Sequence, residues 1–203
     1  MIKAIIFDLG NVIVKVNRTD LYKEWAENSG KTAKEVMEYY SNSRLRTDFE
    51  KGRMNPNEFY EKIAQELGLK MSFREFKNSY CNIFALNVDV ENAIKKLKHE
   101  FRLILLSNTD ELHFEYVKNK FKVVSIFDDY VLSYKVSKRK PNPMIFWEAI
   151  RKSKTLPMNC LYFDDIPEFI IMARLMGVKA YQFKGFEKLR TDLHKNNVLS
   201  KPL

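Results

Sequence analysis

The 203-residue chain carries only two cysteines, Cys81 and Cys160, far apart and without metal-ligand spacing. That excludes a disulfide-stapled scaffold and a cysteine-based zinc site, and leaves buried free thiols in a reducing cytosol as the expectation. No apolar run approaches the ~20 residues of a membrane span. The first strand pattern begins almost at Met1, with no long apolar segment and no small-residue cleavage site. No secretory signal is therefore read, and a cytoplasmic location is expected. Internal repeats and low-complexity tracts are absent. So are zinc-finger spacing and an aromatic RNA-binding signature.

What is present is charge, aromatic residues and alternation. The chain is 45% hydrophobic, 13% aromatic and 30% charged, which excludes disorder and suits one domain, or a core with an inserted subdomain. Its formal net charge is +9. The lysines are scattered (Lys31, Lys34, Lys51, Lys62, Lys70, Lys77) rather than stacked in one block, so they read as surface, not as a nucleic-acid footprint. A positive field still favours a small anionic partner.

Short apolar runs at Ala4–Phe7, Leu103–Leu106, Cys160–Phe163 and Val178–Phe183 read as buried parallel strands, with a weaker fifth at Tyr130–Ser133. Helical periodicity at Asp89–His99, Asn142–Lys152 and Glu168–Met176 lies between them; the last stops at Gly177. This alternation predicts an α/β fold, a Rossmann-like doubly wound parallel sheet. From Val16 to Asn87 no strand-like run is found. The pattern there predicts helices at Arg18–Asn28, Thr32–Ser41, Asn55–Leu67 and Ser72–Tyr80, with Thr32 and Glu35 spaced as a capping box. An insertion of about 70 residues is too long for a loop, so a helical cap over the strand ends is predicted. The expected division is a core of residues 1–15 and 88–203 with a cap of 16–87.

In doubly wound sheets, ligands bind beyond the carboxyl ends of the strands. Asp8 ends the first strand, Ser107-Asn108-Thr109 the second, and Asp164-Asp165 the run Cys160–Phe163; Arg139-Lys140-Pro141 follows the weaker strand. Three carboxylates form a hard oxygen cluster suited to magnesium. A hydroxyl and an amide suit phosphoryl oxygens, and a lysine adds fixed positive charge. Together these describe phosphoryl transfer. Each feature has a plainer reading alone: Asp164-Asp165 as a turn or helix cap, Ser107-Asn108 as turn chemistry. His113 reads as structural or at the site margin. Arg44, Arg46 and Lys51 read as a solvated face, although they could contact substrate. Phe49, Phe59, Tyr60, Phe73, Phe76 and Tyr80 read as cap core.

The strings FDLGNVIV, LLSNT, RKPNPMIF and YFDD, in that order, resemble the haloacid dehalogenase superfamily, and within it the capped phosphatases. The subgroup that the sequence resembles is the bacterial sugar-phosphate phosphatases similar to alpha-D-glucose-1-phosphate phosphatase, on DLGN, Ser107-Asn108-Thr109-Asp110 with His113 following, and the segment Phe49–Arg53 with Glu58-Phe59. The resemblance implies that Asp8 is the nucleophile forming an aspartyl-phosphate, with Lys140 as the second catalytic group. Ser107, Asn108 and Lys140 would hold phosphoryl oxygens. Asp8, the Gly10 carbonyl, Asp165 and, directly or through water, Asp164 would hold Mg2+. The partner implied is a small phosphorylated metabolite, with no nucleic acid and no membrane, and a monomer or weak homodimer is expected.

Three positions depart from the family pattern. Gly10 stands where phosphatases of the superfamily carry the aspartate that acts as general acid and base, a group that typically contributes about 10²–10⁴-fold. A specialised substrate with a good leaving group, replacement by another group or water, and a weakened phospho-ligand-binding member all remain open. Metal-free dehalogenases also lack that aspartate; the pair Asp164-Asp165 distinguishes the phosphatase reading from them. Phe169 replaces a common asparagine and Ser137 a common glycine.

Overall fold

The computed structural model describes residues 1–198. At its centre is a parallel sheet in the order β5-β4-β1-β6-β7, formed by β1 (Ala4–Phe7), β4 (Arg102–Ser107), β5 (Asp129–Leu132), β6 (Cys160–Asp164) and β7 (Lys179–Gln182). β1 is central, with Phe7 paired to Leu105 on one side and Phe163 on the other. Alternation splits each strand between two cores. Ile5, Phe7, Leu103, Leu105, Leu161 and Phe163 face one side. Ala4, Ile6, Ile104, Leu106, Cys160 and Tyr162 face the other.

Helices α6 (Val88–Leu97), α7 (Glu111–Lys120) and α11 (Phe186–Lys195) cover the first face. Helices α9 (Pro143–Ser153) and α10 (Pro167–Leu175) cover the second. All five predicted strands are present, within about two residues at their ends. Neither α7 nor α11 is among the predicted helices; the buried stripe of α7 includes His113, which breaks its apolar period. No helix among the described residues is long and apolar enough to cross a membrane.

Between β2 (Val14–Val16) and β3 (Phe84–Leu86) lies the insert: α1 (Thr19–Ser29), α2 (Ala33–Asn42), α3 (Arg44–Phe49), α4 (Pro56–Leu67) and α5 (Phe73–Cys81). The expectation of no strand in this region is corrected at Phe84–Leu86. It is a three-residue strand that exists by antiparallel pairing with Val14–Val16, not by burial of its own. The short α3 is also new. Thr32 and Glu35 do form a capping box, and Asn55 with Glu58 and Ser72 with Glu75 form two more. The helices share a separate aromatic core. Trp25 stacks on Phe76 at 4.9 Å and Phe49 on Phe59 at 4.2 Å, and Tyr80 is fully buried beside them. Full burial of each such ring contributes about 1.5–3 kcal/mol, which is how so small a unit holds its shape.

One close approach of the insert to the core is at Gly52. Gly52 has φ +66°, and a Cβ there would fall 2.2 Å from the carbonyl oxygen of Tyr134, on the one-turn helix α8 (Ser133–Val136). Only glycine allows this approach. Just beyond α8, Ser137 adopts the left-handed conformation (φ 53°) that glycine favours. The loop leading to Lys140 therefore keeps its path despite the substitution, at a strain cost of about 1–2 kcal/mol. Ser137→Gly should raise stability by about 0.5–1 kcal/mol in urea denaturation, since relief of strain exceeds the added chain entropy of glycine. A loss of stability would show that the Ser137 side chain is itself needed.

Candidate active site

The strand order places the chemistry. Asp8 follows the central strand β1, and its backbone N–H donates to the Phe163 carbonyl at 2.9 Å. It therefore emerges between the ends of β4 and β6, where Ser107 and Asp164 are the last strand residues. The loop after α8 brings Lys140 into the same gap. Asp8, Ser107, Lys140 and Asp164 are all buried, with Asp164 fully enclosed.

Lys140 organises the site. Its Nζ lies 2.7 Å from Asp8 Oδ1, 2.6 Å from Asp164 Oδ2, 3.1 Å from the Leu106 carbonyl and 3.2 Å from the Tyr162 hydroxyl. An ammonium has three protons, and two carboxylates and a carbonyl use them. The Tyr162 hydroxyl in turn donates to Asp164 Oδ2, while Asp164 Oδ1 accepts from the Ile166 N–H at 2.9 Å. Phe169, where an asparagine is common, puts its ring 5.0 Å from Lys140 Nζ as a cation–π floor. Removing Lys140 would leave two buried carboxylates unpaired, a cost of about 3–5 kcal/mol.

Asn108, expected to hold a phosphoryl oxygen, also has a bracing part: its Oδ1 accepts from the Lys140 N–H at 2.7 Å and its Nδ2 donates to the Lys140 carbonyl at 3.0 Å, which leaves one amide proton free. The side chain clamps the lysine loop to the end of β4. Asn11 has a similar bracing part. It adopts a left-handed conformation (φ 56°), donates its Nδ2 to Asp165 Oδ2 at 3.0 Å, and accepts from the Val16 N–H at 3.3 Å. It ties the turn after Asp8 to the end of β6. Asn residues tolerate this conformation best after glycine, which is the signal that could have marked Asn11 beforehand. Tyr162 carries no such mark, because in sequence it reads as one more apolar strand residue. His113 is structural: its ring stacks on Tyr80 at 4.0 Å, Nδ1 meets Asp110 Oδ2 at 2.7 Å, and Nε2 lies 2.9 Å from the Tyr80 carbonyl. Both cysteines are buried free thiols, held above the usual thiol pKa by that burial.

Ligand oxygens of Asp8, Asp164 and Asp165 all lie within 4.8 Å of one another. With Lys140 they leave an excess of two negative charges, which one divalent cation would balance. Hard carboxylate oxygens suit Mg2+ rather than a soft metal. The electrostatics agree. Burial, reinforced by Asp164 and opposed by Lys140, pushes the Asp8 carboxyl up to about 7. Burial likewise raises Asp165, and the two carboxylates raise Lys140 against its own desolvation. A cavity of about 750 Å³ between α4, α5 and α7 contains none of these residues.

The haloacid dehalogenase-like hydrolase family matches residues 2–177. The chain belongs to this family and is a hydrolase of its type. It is 26% identical over 201 residues to the D-ribitol-5-phosphate phosphatase of Bacteroides thetaiotaomicron, covering 95% of this chain and 97% of that one. A family enzyme from the same organism, crystallised with magnesium and inorganic phosphate, superposes with a TM-score of 0.82 at 25% identity over 91% of this chain and 95% of the other. A HAD-like hydrolase from Porphyromonas gingivalis gives the same score and identity over 97% and 98%.

The raised Asp8 pKa has a consequence for metal binding. A cation must displace the proton that Asp8 holds below pH 7, so binding should release protons there and not above. Apparent Mg2+ affinity should fall about tenfold from pH 8 to pH 6. Titration calorimetry in buffers of different ionisation enthalpy measures both quantities. A pH-independent affinity without proton release would contradict the assignment.

Proposed function

We propose that the chain is a magnesium-dependent phosphatase that hydrolyses a small phosphorylated metabolite through an aspartyl-phosphate on Asp8. The observation that carries this reading is the buried Lys140 ammonium shared by Asp8 and Asp164, with Asp165 completing a three-carboxylate cluster. Asp8 is the nucleophile: one of its oxygens bonds to phosphorus as the ester oxygen departs, and water then cleaves the acyl phosphate and restores the carboxylate. Ser107 takes a phosphoryl oxygen, Lys140 offsets the phosphoryl charge, and Asn108 positions Lys140. Asp8, the Gly10 carbonyl and Asp165 hold Mg2+, with Asp164 beside them. The ion supplies charge neutralisation for the attacking carboxylate and the phosphoryl oxygens. Asp164 has both oxygens engaged by protein donors, so Asp165, half-buried and bound only by Asn11, is the better direct ligand. Residues 16–87 form the cap over a core of residues 1–15 and 88–203. The similarity to a ribitol-phosphate phosphatase supports a substrate of sugar or polyol size.

A metal-free dehalogenase is the second reading, and the excess charge of the carboxylate cluster disfavours it. A panel of phosphate esters with and without Mg2+ separates the two. Phosphate release that needs the metal and vanishes in Asp8→Asn supports the proposal; metal-independent halide release from a 2-haloacid would replace it.

Gly10 sets the remaining chemistry. A Cβ there would meet only Val16 Cγ2, at an ordinary 3.5 Å, so a side chain fits. Gly10→Asp should raise turnover of simple alkyl phosphates by about tenfold or more, and that of an anomeric sugar phosphate, which needs less protonation, by much less. Equal and unchanged turnover would mean that another group already supplies the proton.

A further inference from the structure

Five buried side-chain nitrogen and oxygen atoms lack a protein hydrogen-bond partner among the described residues, and four of them meet in one place: Arg18 Nε, Arg46 Nε, Glu50 Oε2 and Arg139 Nε. Arg139 Nε and Glu50 Oε2 approach to 2.6 Å as an ion pair without aligning as a hydrogen bond. Arg46 lies 3.7 Å from the other oxygen of the same carboxylate. Arg18 and Arg46 both lie over the Tyr40 ring, at 5.8 and 5.5 Å. The expectation that Arg46 belongs to a solvated face is thus corrected: its side chain is only 25% exposed, whereas Arg44 is 89% exposed.

This cluster is linked to the site by two paths. Arg139 precedes Lys140 in the chain. The Tyr40 hydroxyl lies 3.3 Å from that of Tyr80, which donates to Asp110 at 2.9 Å, and Asp110 is three residues beyond Ser107. Two guanidiniums, of Arg46 and Arg139, share the Glu50 carboxylate here, and a third, of Arg18, lies over the same Tyr40 ring as Arg46 without a carboxylate of its own among the described residues. Excess buried charge is costly unless an opposite charge meets it, and hydroxyl groups cannot supply that charge. Guanidinium forks match carboxylate and phosphoryl groups in particular.

We propose that Arg18, Arg46 and Arg139 bind a second anionic group of the substrate, remote from the phosphoryl group at Asp8. Resting on the phosphatase reading above, this narrows the substrate class from a neutral polyol phosphate to a phosphorylated sugar acid or a bisphosphate. Glu50 lies between the Arg46 and Arg139 guanidiniums and orients them, while the Tyr40 ring carries Arg18.

The test compares kcat/KM for ribitol 5-phosphate, 6-phosphogluconate and fructose 1,6-bisphosphate in the wild-type protein, Arg18→Gln and Arg46→Gln. At least one of the two substrates with an anionic group at each end should exceed ribitol 5-phosphate by about tenfold or more, and the ratio should fall to about twofold or less in the variants. The arm that shows the preference identifies the anion as carboxylate or phosphoryl. A partly unfolded variant lowers all rates alike and leaves the ratio intact. The same ratio is measured in binding by calorimetry on Asp8→Asn. A binding preference that depends on the arginines, with no turnover of any ester by the wild type, would uphold this site and overturn the phosphatase reading. Turnover without preference, or a preference unmoved in both variants, would overturn this site alone.

Discussion

Everything at the strand ends depends on one buried ammonium. Lys140 has no solvent to share its charge with, and two carboxylates face it, from β1 and β6. Neither carboxylate could be buried there alone, and neither could the lysine; each is tolerable because the others are present. The balance is deliberately incomplete. Asp165 adds a third carboxylate beyond the pair that faces the lysine, and that excess is what a divalent cation would balance.

The surroundings serve to keep the ammonium in place. The Asn108 clamp fixes the lysine backbone, the Tyr162 hydroxyl and Leu106 carbonyl fix its head, and the Phe169 ring closes the floor. The departure at Phe169 thus exchanges an amide for an aromatic face under the same cation. The departure at Ser137 keeps a left-handed turn without glycine. Both substitutions keep the geometry while changing its chemistry. Gly10 differs in kind: it removes a proton-transfer group and leaves open space.

The candidate site was legible in sequence because Asp8, Ser107 and Asp164 each end an apolar run, and strand polarity in a parallel sheet brings such ends together. Asp8, Ser107 and Asp164 are read from that rule, and Asp165 and Lys140 from the residues that accompany it. What escaped depends on geometry without a local pattern. β3 exists only through its partner β2, and α3 is too short to show a period. The side chain of Arg46 is turned inward by packing on Tyr40, a contact between residues six apart that no periodicity announces. At Asn108 the chemistry of the amide is legible in sequence, but its clamp on the backbone of Lys140 is not.

The most direct test of the account is a crystal of the protein soaked with Mn2+ and beryllium fluoride, an anomalous ion and a phosphoryl mimic. An anomalous peak bounded by Asp8, the Gly10 carbonyl and Asp165 is expected, with beryllium bonded to an Asp8 oxygen and Ser107 against its fluorides. An ion bound elsewhere, or beryllium fluoride absent from Asp8 while Asp164 and Asp165 remain empty, would contradict it.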